Sequence, residues 1–284
     1  MKVARIELDG IERLARVEGD LAFPLRSDEH PGLAILLSQP VSPGGAQGGA
    51  GSEGATEAPV TLDSVKLLPP IARPGSVIAI GLNYADHASE SGLDAPAAPV
   101  TFAKLPQSVI GHGEVIRWST DQSTEVDYEA ELAVIIGAEA RSVPVETALD
   151  FVLGYTCCND VSARDAQFGD GQWLRGKSFD TFCPIGPWLV TPEDIPDPQN
   201  LRIACRVNGQ ALQDSNTSQM IFSVAEIISY LSGFITLLPG DVITTGTPAG
   251  VGFARTPPIY LHDGDTVEID IEGIGVLANT CGAR

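Results

Sequence analysis

The sequence predicts a β-rich α+β fold, a sandwich or roll preceded by a small N-terminal domain. Short alternating or apolar runs of strand length recur from one end of the chain to the other. Only one segment carries clear helix signals. Strands and helices do not alternate regularly, which excludes a doubly wound parallel sheet. With 284 residues, 43% of them hydrophobic, the chain can bury a large core.

The elements follow in order. Residues 1–26 alternate as KVARIEL, a DG turn, ERLARVEG and DLAFPL; Asp-Gly between alternating runs marks a hairpin. Residues 41–59, VSPGGAQGGAGSEGATEAP, have no periodicity and no Lys or Arg, so they read as a Gly-rich flexible loop. The expected division is a small N-terminal domain at 1–66 and a main domain at 67–284. Strands are expected at SVIAIGL (76–82), ELAVIIG (131–137), PWLVT (187–191), LRIACRVNG (201–209), DVITTG (241–246) and DTVEIDIEGIGVLAN (265–279). The one helix is FSVAEIISYLSGFITLL, opened by a capping box of Ser223 and Glu226 and closed by Pro239-Gly240.

The charge is strongly acidic, 17 Lys+Arg against 37 Asp+Glu, net -20. Such a field repels nucleic acid and anionic membranes, so neither partner is expected, and an anionic substrate needs a locally basic pocket. Five Cys without a C-x-x-C pair argue against a disulfide framework or structural zinc. They suit buried thiols in a reducing cytoplasm, and no apolar run is long enough to span a membrane.

GQWLRGKS, residues 171–178, fits the phosphate-loop pattern G-x-x-x-x-G-K-[ST]. A phosphate loop has to leave a buried strand and open a helix. Here DAQFGD precedes it, which is no strand, and Pro184 and Pro187 follow closely, which forbids a helix. No nucleotide is expected.

Three clusters carry chemistry. Glu125, Asp127, Glu129 and Glu131 recur at every second residue, so a strand would place them on one face. The apolar run LAVIIG that follows favours a cation site over a solvated face, and oxygen donors suit Mg²⁺, Mn²⁺ or Ca²⁺. In GYTCCNDVSARDAQF (154–168), Asp160 offers a third carboxylate and Arg164 a planar fork for a substrate carboxylate. An Asp-capped turn with an internal Arg–Asp pair explains the same residues equally well. In IGLNYADHASESG (80–92), His87 and Glu90 face each other on a helical turn, the arrangement of a general base or of an ordinary surface pair. His30, His112 and His262 sit in turns without a convincing partner.

Taken together, GLNYADHASE, DYEAELAVIIG, YTCCNDVSARDAQ, RGKSFDTFCPIGP and LLPGDVITTGTPAGVG resemble the fumarylacetoacetate hydrolase superfamily across residues 68 to 281. The resemblance implies the family's β-sandwich roll. It implies Mg²⁺ or Mn²⁺ on Glu129, Glu131 and Asp160, and a water-activating dyad of His87 and Glu90. Lys177 falls on the family's active-site lysine, and Arg164, Gln167 and Thr247 on substrate-contacting positions. Glu125 and Asp127 match no ligand position. The chain is similar to the acylpyruvase-like branch, in particular to bacterial hydrolases of 2,4-diketo-3-deoxy sugar acids. The implied reaction splits the C3–C4 bond of a 2,4-diketo acid, such as 2,4-diketo-3-deoxy-L-rhamnonate or -L-fuconate, to pyruvate and a carboxylic acid in carbohydrate catabolism. Fumarylpyruvate hydrolysis, oxaloacetate decarboxylation and hydroxy-dienoate isomerisation are alternatives in the same site. A non-catalytic binding protein is disfavoured, because none of the key residues is missing. A homodimer is expected.

Overall fold

The computed structural model describes residues 1–26, 31–37 and 58–283. The fold is β-rich α+β. Among the described residues a twelve-stranded sheet runs through Val60–Thr61, Leu21–Pro24, Ile11–Glu18, Lys2–Leu8, Cys183–Val190, Val152–Asn159, Ala130–Ile136, Val242–Thr244, Val77–Gly81 and Val100–Lys104, with two short strands attached to its side. A five-stranded sheet, from Gln210–Asn216 through Arg202–Val207, Thr266–Ile271 and Gly275–Ala283 to Val115–Trp118, completes the body.

The Ala130–Ile136 strand is the centre. Every one of its residues is buried, as expected of a β-branched and aliphatic run covered on both faces. Leu132, Val134 and Ile136 pack with Tyr155, Ile203, Ile269 and Leu277, side chains drawn from both sheets. Ala133 and Ile135 point the other way, into a cluster with Val3, Leu36, Ile71 and Ile185.

The helix spans Val224–Phe234 and carries the expected capping box, with Ser223 Oγ accepting from Glu226 N and Glu226 Oε2 accepting from Ser223 N at 2.8 Å. It stops well before Pro239. Leu237 leaves it to exchange backbone hydrogen bonds with Ala140, and that pairing outcompetes another helical turn.

The N-terminal hairpin continues the large sheet. Lys2 and Val3 pair with Val190 and Leu189, while Arg5, Ile6 and Glu7 pair with Leu68, Leu67 and Lys66. The Met1 ammonium donates to Thr191 Oγ1 at 2.6 Å. Most of the 41–59 loop, and His30, lie outside the described residues. His112 does have a partner, since its Nδ1 accepts from Ala278 N. All five cysteines are buried and free. Among the described residues no helix is long and apolar enough to cross a membrane.

Candidate active site

The site forms where two neighbouring strands run out together. Register sets Ala130 against Asn159, so Glu129 just before one strand meets Asp160 just after the other. Asp160 N donates to Glu129 O at 3.0 Å, and Asn159 Oδ1 accepts from Glu129 N at 3.0 Å. Glu129, Glu131 and Asp160 are all buried, with oxygens within 4.8 Å of one another. Three converging carboxylates with no sulfur or nitrogen donor fit a hard divalent cation such as Mg²⁺ or Mn²⁺.

Lys177 reaches this cluster from the Leu174–Lys177 helical turn, which is what the GQWLRGKS stretch builds. A Cβ on Gly176 would lie 2.6 Å from Gln167 N and 2.8 Å from Ala163 O. Only glycine lets the turn sit this close to the Arg164–Gly169 helix. The Lys177 ammonium donates to Glu129 Oε2 at 2.7 Å and to Asp160 Oδ2 at 2.8 Å. It also lies 5.1 Å from the centre of the Phe102 ring, which packs edge-on against Trp173.

Arg164 is hydrogen-bonded through two of its nitrogens, and the third, Nη2, lies at ion-pair distance from carboxylates without a hydrogen bond among the described residues. Nε donates to Asp127 Oδ2 at 2.9 Å and Nη1 to Gln167 Oε1 at 2.9 Å. Nη2 lies 2.8 Å from Asp127 Oδ2 and 2.6 Å from Glu129 Oε1. The guanidinium also stacks on Phe253 at 4.4 Å. Asp127 stays outside the cation cluster, yet it organises the site. Besides Arg164 it receives Gly252 N at 2.7 Å and Phe253 N at 3.0 Å.

The balance of charge explains the titration of the cluster. Asp127, Glu129, Glu131 and Asp160 face Lys104, Arg164 and Lys177, all of them buried. Burial opposes ionisation of Glu129, but Lys177 and Arg164 outweigh it and hold the carboxyl at about 2. Among the described residues Glu131 has no ion-pair partner in direct contact, and the nearby Lys177 offsets its burial only in part. Burial, then the neighbouring Asp160 and Glu129, push it well above the ordinary carboxylate range. Its Oε2 is oriented by Gly246 N at 2.9 Å. A divalent cation would supply the charge that Glu131 lacks.

His87 and Glu90 lie on the Ala85–Glu90 helix. His87 Nδ1 is 3.6 Å from Glu90 Oε2 and has no hydrogen-bond partner among the described residues, so the two are close but not joined. The Glu90 carboxylate instead accepts from Gly250 N at 3.0 and 3.1 Å. Asp86 accepts from His87 N, from Ser215 Oγ at 2.6 Å and from Ala249 N. These contacts dock the helix on the TGTPAGVG segment. The His87 ring meets Phe253 edge-on at 6.4 Å, and Phe253 has Arg164 as its other neighbour. Thr247 Oγ1 accepts from Gln213 Nε2 at 2.8 Å, while Gln213 Oε1 accepts from Ala130 N at 2.9 Å.

The structure therefore gathers Glu129, Glu131, Asp160 and Lys177 around one point, with Arg164 and Gln167 behind Glu129 and His87 across Phe253. Sequence reasoning overlooked Lys104 and set Asp127 aside. Asp127 had a local signal in its alternation with Glu129 and Glu131. Lys104 had none.

Known proteins bear on this arrangement. The family model for the fumarylacetoacetate hydrolase C-terminal domain matches residues 76–281. A mitochondrial oxaloacetate tautomerase of Bos taurus is 48% identical over 228 residues, covering 79% of this chain and 72% of that protein. Among solved structures, the fumarylacetoacetate hydrolase of the psychrophile Exiguobacterium antarcticum superposes with a TM-score of 0.86 at 39% identity, covering 100% of both chains. A 2-hydroxyhepta-2,4-diene-1,7-dioate isomerase from Mycobacterium marinum gives 0.80 at 39% identity, covering 100% of this chain and 99% of that one. With the fold, the ordered motifs and the family match in agreement, the chain belongs to the fumarylacetoacetate hydrolase family.

Proposed function

We propose that this protein is a divalent-cation-dependent enzyme that interconverts the keto and enol forms of a small 2-oxo dicarboxylic acid of the oxaloacetate type, working as a homodimer. The observation that carries the reading is the buried carboxylate triad with the Lys177 ammonium set directly on two of its members. Relatives near half identity named as oxaloacetate tautomerases support the substrate class.

Glu129, Glu131 and Asp160 would hold the cation, which when bound would supply Lewis-acid chemistry at the keto group. Lys177 neutralises negative charge on that oxygen as the enolate develops. His87, buried beside Phe253, takes the proton from the carbon next to the keto group and delivers it to the keto oxygen to give the enol, and the reverse transfer restores the keto form. Glu90 fixes the orientation of the helix that carries His87 through its grip on Gly250. Gln167 and Thr247 offer hydrogen bonds to the substrate carboxylate. Arg164 serves mainly as a positioning residue, because Nε and Nη1 are hydrogen-bonded to Asp127 and Gln167 and its charge sits against Asp127 and Glu129.

A second reading is hydrolysis of the C3–C4 bond of a 2,4-diketo acid, including the 2,4-diketo-3-deoxy sugar acids. The closeness of His87 and Glu90 favours it, since a carboxylate 3.6 Å from a histidine supports the activation of water. One experiment separates the two. The protein is incubated with Mg²⁺ or Mn²⁺, and loss of the enol's ultraviolet absorbance is followed with oxaloacetate. Pyruvate release is followed with a panel of 2,4-diketo acids. Accelerated enol loss without pyruvate release supports tautomerisation, and pyruvate from a diketo acid supports hydrolysis. Neither activity in cation-loaded protein overturns both.

A further inference from the structure

We propose that Lys104 is a positioning residue: it fixes the orientation of the Asp160 carboxylate, holds the backbone of Lys177, and weakens the site's grip on its cation. The inference rests on the reading of Glu129, Glu131 and Asp160 as the cation's ligands.

Lys104 ends the Val100–Lys104 strand at the edge of the large sheet, paired with Val77. Its side chain is fully buried. An ammonium has three N–H bonds, and three acceptors meet this one: Asp160 Oδ1 at 2.5 Å, Val161 O at 3.2 Å, and Lys177 O. No donor remains for a substrate, so Lys104 does not act on the reacting atoms.

Packing does not call for a charge here. A strand end covered by protein would accept a methionine of similar length, and burying an unpaired ammonium is costly. The ammonium is there for its three partners. With Oδ1 turned to Lys104, it is Oδ2 that Asp160 turns to Lys177. With the Lys177 carbonyl held, the Leu174–Lys177 turn cannot drift, and Lys177 Nζ stays on Glu129 and Asp160. One buried cation thus sets both a ligand and the residue that stabilises charge on the substrate.

The third effect follows from charge alone. A fixed positive charge on Asp160 repels a divalent ion at the same carboxylate, and low local polarity strengthens that repulsion. Lys177 also competes for Glu129 and Asp160. Removing Lys104 makes the cluster more attractive to both competitors, but a doubly charged ion gains twice what an ammonium gains. Loss of Lys104 should therefore tighten cation binding while impairing turnover. A residue that only holds the fold together would weaken both.

The test uses the full chain as wild type, Lys104→Gln and Lys104→Met. Mn²⁺ affinity is measured by calorimetry on cation-free protein, folding by circular dichroism and thermal melting, and kcat and KM on oxaloacetate enol. The glutamine keeps hydrogen bonds to Asp160 without the charge, which guards against a methionine variant that fails to fold. The expected result is Mn²⁺ binding at least tenfold tighter in Lys104→Gln, with kcat lowered tenfold or more and KM little changed. Unchanged or weaker Mn²⁺ binding in a folded variant overturns the proposal, as does failure of both variants to fold, which would make Lys104 a structural anchor. Wild type that binds no Mn²⁺ overturns the reading of the cation site, and the proposal with it.

Discussion

Replacing Lys177 by methionine removes an almost fully buried ammonium that bonds Glu129 at 2.7 Å and Asp160 at 2.8 Å. Breaking a buried ion pair costs about 3–5 kcal/mol when the other charge is left uncompensated. Glu129 keeps Arg164 and Asp160 keeps Lys104, so the lower end, about 3 kcal/mol, applies. For a chain of this size each kcal/mol is worth roughly 2–4 °C of melting temperature, so cation-free Lys177→Met should melt about 6–12 °C below wild type. Saturating Mn²⁺ should recover much of that loss. At a hundredfold excess over Kd the ion adds about 2.7 kcal/mol, and in the variant it no longer has to displace an ammonium. The pH profile should change as well. Burial opposes ionisation of Glu129, but Lys177 and Arg164 depress its folded value to about 2, below its unfolded 4.5. Its contribution to stability is thus present above about pH 4.5 and lost as pH falls towards 2. Without Lys177 the folded value rises towards the unfolded one, so the acid-dependent loss of stability that Glu129 contributes should shrink. Turnover should fall by about 10²–10³ even with Mn²⁺ present, the usual loss for one donor to a developing oxyanion. Scanning calorimetry with chelator or Mn²⁺, from pH 3 to 8, and initial rates on oxaloacetate enol provide the measurements. A cation-free melting temperature equal to wild type, or unimpaired kcat, refutes the reasoning.

Chelation should abolish turnover and Mg²⁺ or Mn²⁺ restore it, while Glu129→Gln should weaken Mn²⁺ binding at least tenfold by calorimetry; full activity in metal-free protein contradicts this. His87→Ala should leave Mn²⁺ binding intact but lower the tautomerisation rate by about 10²–10⁴, the range expected of a general base; a rate equal to wild type assigns the proton transfer elsewhere. Because burial, Asp160 and Glu129 raise Glu131, its proton must leave for the cation to bind. Mn²⁺ affinity should therefore rise with pH, and binding should release protons that calorimetry in buffers of different ionisation enthalpy can count. A pH-independent affinity is the contrary result.

The parts of this molecule legible in its sequence were those with local causes. Strand period and buried aliphatic runs located Val77–Gly81, Ala130–Ile136 and Arg202–Val207, and Ser223 with Glu226 marked the helix start. The helix end was misplaced, because the Ala140–Leu237 bridge that ends it joins residues far apart in sequence. Rejecting the phosphate-loop pattern required only the absence of a flanking strand and helix. Lys104 was invisible because its partners, Asp160 and Lys177, lie 56 and 73 positions away. The commitment of Arg164 to Asp127, 37 positions earlier, was hidden for the same reason. A planar fork beside a carboxylate-rich strand reads the same whether it faces substrate or protein.

The pairing of Lys2 and Val3 with Val190 and Leu189 has a consequence for synthesis on the ribosome. The hairpin of Lys2–Leu8 and Ile11–Glu18 emerges before Lys66–Leu68 and Cys183–Val190 and can form at once from local contacts. Its outer edge closes in two instalments: Arg5, Ile6 and Glu7 find partners when Lys66–Leu68 appears, but Lys2 and Val3 wait for residue 190. At about 5–20 residues per second, that wait is roughly 10–40 s. Throughout it the nascent chain presents a short open strand edge to any other chain nearby. Edge strands blunt such encounters with charge. Here Arg13 and Arg16 sit directly across from Ile6 and Val3 on the neighbouring strand of the same hairpin, where they can act as electrostatic guards during translation.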